Sequence, residues 1–157
     1  MTTTGEAPRA RPAALRVLLV EDDPADVALV RAALDAHHLD VELEHAPDGV
    51  EAMAFLRREG PHAEAARPDL ILLDLNMPRM NGRAVLAAVK ADAQLKAIPV
   101  VMLTTSAMDT DVLTSYSTHA NAYVTKPLAL DDYERVIAEI LQFYGRVAEL
   151  PPPPAAP

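Results

Sequence analysis

Asp74 stands directly behind the apolar run Leu70 to Leu73, at the head of the stretch "DLNMPRMNG". A carboxylate in such surroundings is costly unless it is paired, metal-bound or reactive. Three other apolar runs end in comparable residues: Glu21-Asp22-Asp23 after "RVLLV", Thr104-Thr105-Ser106 after "IPVVML", and Lys126-Pro127 after "NAYVT". If these ends share one crevice, Glu21, Asp22 and Asp74 repel one another. At about 4 Å and an effective dielectric near 20, each pair costs roughly 4 kcal/mol. Such a set calls for a cation. Its donors are all oxygens, with no sulfur and no histidine, which favours Mg²⁺ over zinc. Lys126 adds a fixed positive charge and Thr104 a hydroxyl donor. A cation, an ammonium and a hydroxyl around one carboxylate suit a phosphoryl group, with Asp74 as its nucleophile. Taken singly, each residue has an ordinary account, since an Asp after a strand caps a turn and a Lys faces solvent. Their joint arrival at four run ends is what points to chemistry.

The elements that must hold these residues follow from pattern. "RVLLVE" reads as a strand buried on both faces. "DPADVALVRAALDAH" reads as a helix, with Asp23 as cap, Pro24 at the first position and Val27, Val30 and Leu34 on one face. "VELEHA" alternates and suits an edge or half-buried strand. "DGVEAMAFLRRE" is a second helix, "DLILLD" a third strand, "GRAVLAAVKAD" a third helix and "IPVVMLTT" a fourth strand. "MDTDVLTSYSTHA" is a weaker, Thr- and Ser-rich helix. "NAYVTK" is a short fifth strand. "ALDDYERVIAEILQFY" is the best helix, with Tyr133, Val136, Ile137, Ile140, Leu141 and Tyr144 spaced along one stripe. Five strands alternating with five helices predict a parallel sheet covered on both faces. Ligands in such folds sit beyond the carboxyl ends of the strands. With the order 2-1-3-4-5, the first and third strands are neighbours and their acids meet.

Length and composition limit the rest. At 157 residues, the chain suits one domain of the usual size of roughly 150. A predicted disordered leader covers 1–14, the domain 15–145 and a Pro-rich tail 146–157. With 14 basic against 23 acidic residues and a net charge of −9, no basic stripe is available for nucleic acid. There are no cysteines, so thiolate catalysis and disulfide scaffolding are excluded. No apolar run approaches the roughly 20 residues of a membrane span. The N-terminus also lacks the apolar core of a signal peptide, so a cytoplasmic protein is expected. His37-His38 falls at a helix end, where a cation is favourable, and His45, His62 and His119 are too dispersed for a metal site.

The stretches "LLVEDDP", "LLDLNMPRMNG", "IPVVMLTTS" and "AYVTKPL" resemble the successive motifs of the receiver domain of two-component response regulators, from about Arg16 to Tyr144. The resemblance implies a flavodoxin-like (βα)5 sandwich. It implies that Asp74 accepts phosphate from a histidine kinase, and that Asp22, Asp74 and the backbone carbonyl of Asn76 hold Mg²⁺, or Mn²⁺ in its place. Glu21 would act through water. Lys126 would pair with the carboxylate and then the phosphate, Thr104 would move towards the phosphoryl oxygen, and Tyr123 would follow. It further implies a cis Lys126–Pro127 bond. Two departures are visible: Glu21 replaces the Asp often found first in the acidic pair, and Thr105 is bulkier than the small residue common there.

"EDDPADVALVRAAL", "SYSTHANAYVTKPLALDDYERV" and "LQFYG" are similar to single-domain regulators paired with phytochrome-type kinases. With no effector domain in view, output is expected through protein contacts or phosphate relay. The wide apolar set on the last helix adds the expectation of a homodimer. Its face would contain Tyr116, Tyr123, Ile140, Phe143 and Tyr144, with Val147 and Leu150 on an arm laid across the partner. Two rivals are a docking receiver that takes no phosphate and a haloacid-dehalogenase-type phosphohydrolase. The hydrolase places its nucleophile first and its acidic pair last, and needs a second Asp where this chain has Asn76.

Overall fold

The structure is a computed structural model and describes residues 14–155. The expected disordered leader therefore lies outside the described residues except for Ala14.

Five parallel strands form one sheet in the order β2-β1-β3-β4-β5, as the alternation predicts. β1 (Leu15–Val20) pairs with β2 (Val41–Ala46) on one side and β3 (Leu70–Leu73) on the other. β4 (Val100–Thr104) and β5 (Ala122–Thr125) complete it. The helices are α1 (Pro24–Ala36), α2 (Gly49–Leu56), α3 (Gly82–Ala91), α4 (Asp109–Ser117) and α5 (Leu130–Gln142).

Side chains alternate across a strand, so each inner strand feeds two cores. Val17, Leu19, Leu70, Leu72, Val101 and Leu103 face Val30 of α1 and Tyr133, Ile137 and Leu141 of α5. Leu18, Val20, Ile71, Leu73, Val100 and Met102 face Met53 of α2 and Val85, Leu86 and Val89 of α3. β2 lies at the edge, and its alternation shows it: Val41 and Leu43 are half-buried while Glu42 and Glu44 are exposed.

The starts of α1, α2 and α3 are set by side-chain caps. Asp23 accepts from the Ala25 amide, Asp48 from Glu51 and Asn81 from Ala84. Each cap satisfies a donor that the first turn leaves unpaired. α5 departs from expectation at its end. The α-helix stops at Gln142 and continues as a π-helical turn over Phe143–Val147, closed by the Ala148 amide on the Phe143 carbonyl. Beyond it Leu150 returns against the core between the sheet and α1 and α5, to which Ile140 and Tyr144 also add. Residues 151–155 are exposed and carry no regular structure.

The expected cis Lys126–Pro127 bond is not found, since no cis peptide occurs among the described residues. The trans form is the one that X–Pro bonds intrinsically prefer, by about 0.5–1 kcal/mol.

Candidate functional site

The sheet register carries the dispersed residues to one place. The Asp74 amide donates to the Val20 carbonyl at 3.1 Å, which sets Asp74 beside the end of β1. On the other side, the Lys126 amide donates to the Thr104 carbonyl at 2.7 Å. Glu21, Asp22 and Asp74 offer carboxylate oxygens that all lie within 4.8 Å of one another. Glu21 and Asp74 are buried and Asp22 is exposed. This is one inner oxygen group with one open side, and its three carboxylates could hold a hard divalent cation.

Lys126 is buried and balances this group. Its Nζ is 2.5 Å from Glu21 Oε2, 2.7 Å from Asp26 Oδ2 and 3.8 Å from Asp74 Oδ2. Burial pulls the ammonium towards neutrality. The hydrogen bonds to Asp26 and Glu21 and the charge of Asp74 more than reverse this, so it titrates above the ordinary lysine range. Burial dominates at Glu21, whose carboxyl is pushed up to about 7 despite the hydrogen bond from Lys126. The repulsion of Asp74 adds to that push.

Asp26 was not picked out from sequence. It looks there like an ordinary acid in a helix's first turn, and only the strand order brings Lys126 over it. Two further residues were missed for the same reason. His45 places Nε2 2.7 Å from the Glu21 carbonyl, bracing the turn into the acidic pair. Asp111, buried in the first turn of α4, accepts from the Ser106 hydroxyl at 2.6 Å and pairs with Arg83 of α3.

The loop after β3 is tied down at several points. The Gly82 amide donates to the Leu75 carbonyl, and the Gly49 amide to the Met80 carbonyl. Arg79, with φ of 66°, pairs with the buried Asp48 at 3.4 Å. This fixes the peptide after Asp74, including exposed Asn76. Thr104 is fully buried at the end of β4, and its Oγ1 accepts from the Ser106 amide. Tyr123 is half-buried on β5 and its hydroxyl donates to the Ser106 carbonyl at 2.7 Å. The Tyr116 hydroxyl in turn accepts from the Tyr123 amide. A chain of contacts thus runs from the crevice to the outer face of α4 and β5.

Of the residues expected on a dimer face, Tyr116, Phe143 and Val147 are exposed. Ile140, Tyr144 and Leu150 instead pack partly into the chain's own core. No helix among the described residues is long and apolar enough to cross a membrane.

Residues 17–138 match the response regulator receiver domain family. The response regulator Rcp1 of Synechocystis sp. is 46% identical over 135 residues, spanning 86% of this chain and 92% of that protein. The crystal structure of the phosphorylated cyanobacterial phytochrome response regulator RcpA superposes with a TM-score of 0.86 at 46% identity, covering 89% of this chain and 100% of that one. The Mn²⁺-bound form of Rcp1 gives 0.83 at 45% identity, covering 88% and 99%. A family match over most of the chain, with close likeness in both sequence and fold, leads to one conclusion. The chain belongs to the response regulator receiver domain family and is a two-component signalling protein.

Proposed function

We propose that Asp74 accepts a phosphoryl group from the phosphohistidine of a sensor kinase, and that a phytochrome-type kinase is the donor. The observation that carries this reading is the grouping of Glu21, Asp22 and Asp74 within 4.8 Å, with the Lys126 ammonium 3.8 Å from Asp74. The phytochrome pairing is supported by the likeness to RcpA.

Asp22 and Asp74, with the Asn76 carbonyl, would hold Mg²⁺ or Mn²⁺, and the binding of Mn²⁺ by Rcp1 supports the choice of metal. When bound, the ion supplies positive charge to the phosphoryl oxygens and orients them. The rest falls to this chain's own groups. Asp74, desolvated at the end of β3, presents an oxygen for in-line attack. Lys126 neutralises a second phosphoryl oxygen. Thr104 has a buried hydroxyl that can turn to donate to a third. That turn disturbs the Ser106 amide contact, and with it the carbonyl that Tyr123 grips. The α4–β5–α5 face is the readout. Turnover is limited to taking and losing this phosphate.

The full-length protein, incubated with acetyl phosphate and MgCl2, is expected to gain one phosphate by intact mass, mapped to Asp74. The adduct should be absent in Asp74→Asn and with EDTA. A wild-type chain that stays unmodified, or one that turns over unrelated phosphate esters, would refute the assignment.

The exposed apolar set Tyr116, Phe143 and Val147, with Leu113 and Leu130 nearby in α4 and α5, supports a homodimer through this face. Light scattering on the full-length chain should return twice the monomer mass at micromolar concentration. Ending the chain at Tyr144 should weaken the dimer, because the exposed Val147 is lost. A monomeric full-length chain would count against the face.

A further inference from the structure

The Lys126 ammonium has two hydrogen-bonding partners, and neither is the residue it would serve. Nζ lies 2.5 Å from Glu21 and 2.7 Å from Asp26, but 3.8 Å from Asp74, beyond hydrogen-bond reach. Glu21 belongs to the acidic group around Asp74. Asp26 stands outside that group, on α1. Its place is rigid: Asp23 caps the helix, Pro24 starts it, and the next residue, Val27, is buried in the core. The positive end of the helix also favours a carboxylate there. Lys126 is the member with the longer reach. Its backbone is pinned to Thr104, but four methylenes separate that anchor from the charge.

We propose that Asp26 is a positioning residue, which parks the Lys126 ammonium away from Asp74 and so slows capture of a phosphoryl group. The inference rests on the phosphoacceptor reading above. In the transfer from acetyl phosphate, an Asp74 oxygen bonds to phosphorus as the donor's P–O bond breaks. The electron pair leaves with the departing acetate and no proton is needed. Charge on the phosphoryl oxygens grows most exposed at that moment, and Lys126 must come off Asp26 to meet it. Loss of one charge-assisted contact in the resting state, without loss in the reacting state, is a rate gain on the order of tenfold. A merely structural Asp26 gives the opposite sign, because a loosened α1 would misplace the crevice.

The test compares initial rates of Asp74 phosphorylation by acetyl phosphate at saturating MgCl2, using intact mass on the full-length chain. Asp26→Asn should be phosphorylated about tenfold faster than wild type. Asp26→Glu, which keeps the charge, should fall back towards the wild-type rate. The gain should vanish when Lys126→Met is added to Asp26→Asn. Thermal unfolding of each variant identifies any that fails to fold, and Asp26→Ser then takes the place of Asp26→Asn. An unchanged or slower rate in the folded neutral variant, with wild type phosphorylating normally, overturns the role of Asp26. Absence of the adduct in wild type itself would instead overturn the reading beneath it.

Discussion

Lys126→Met is expected to destabilise the metal-free protein by about 3–5 kcal/mol at pH 8 and by much less at pH 4.5, the scale on which a broken buried ion pair costs. The substitution keeps the bulk of the stem and removes only the charge. What it leaves is Glu21, at 2% exposure, facing Asp26 and Asp74 with no cation between them. The pH dependence follows from the direction of the Glu21 shift. Burial raises its folded-state value from 4.5 to about 7, so the folded chain holds that proton more tightly than the unfolded one. A raised value contributes stability that is whole below about 4.5 and is lost as pH climbs through about 7. Removing Lys126 removes two influences that hold Glu21 down, its hydrogen bond and its charge. The carboxyl then rises further, and the loss deepens and extends to higher pH. Lys126 itself, raised above 10.5, keeps its own contribution across this whole window. Urea unfolding of both proteins in EDTA at pH 4.5 and pH 8 measures the difference. Equal losses at the two pH values would show that the ammonium matters for packing and not for charge.

Gly82→Ala is expected to cost about 2–4 kcal/mol and to slow phosphorylation strongly, though Gly82 meets the acidic group only at the backbone of Asp74. An added Cβ there would run into the carbonyl of Asp74 and the Cα of Leu75. These are backbone atoms, so no rotamer change relieves the collision. Either α3 backs away, opening the packing of Val85 and Leu86, or the Asp74 peptide shifts. The glycine is needed for the close approach of a helix start to a strand end, and its φ is not in the left-handed region. Gly60, with φ of 56° and open space around its missing Cβ, is the contrast. Denaturation midpoints and the rate of adduct formation for Gly82→Ala would check both parts. Wild-type stability would contradict the collision.

Much of this architecture can be read from the chain because period and punctuation agree. The four-residue run of leucine and isoleucine in β3, the Asp23-Pro24 helix start and the alternation of "VELEHA" each name their element without help from tertiary contacts. The acids and the lysine were legible for the same reason, since each lies within two residues of the last apolar residue of a strand. What sequence concealed depends on the third dimension. Asp26 meets Lys126 across about a hundred residues, through the adjacency of α1 and β5's end. The π-turn at Phe143–Val147 hides because Phe143 and Tyr144 continue the apolar stripe of α5, while the change of winding coincides with Gly145 lying over Leu15. The cis Lys126–Pro127 expectation came from likeness alone, and no local contact in the chain demanded it.

β3 has only four residues, yet it serves both halves of the interior and then delivers Asp74. A strand advances about 3.3 Å per residue and reverses its side chains at every step. One codon gained or lost here would exchange Leu70 and Leu72 with Ile71 and Leu73 between the two sides of the sheet. The same slip would turn the carboxylate out of its crevice. Drift in this strand is therefore confined to exchanges of similar bulk.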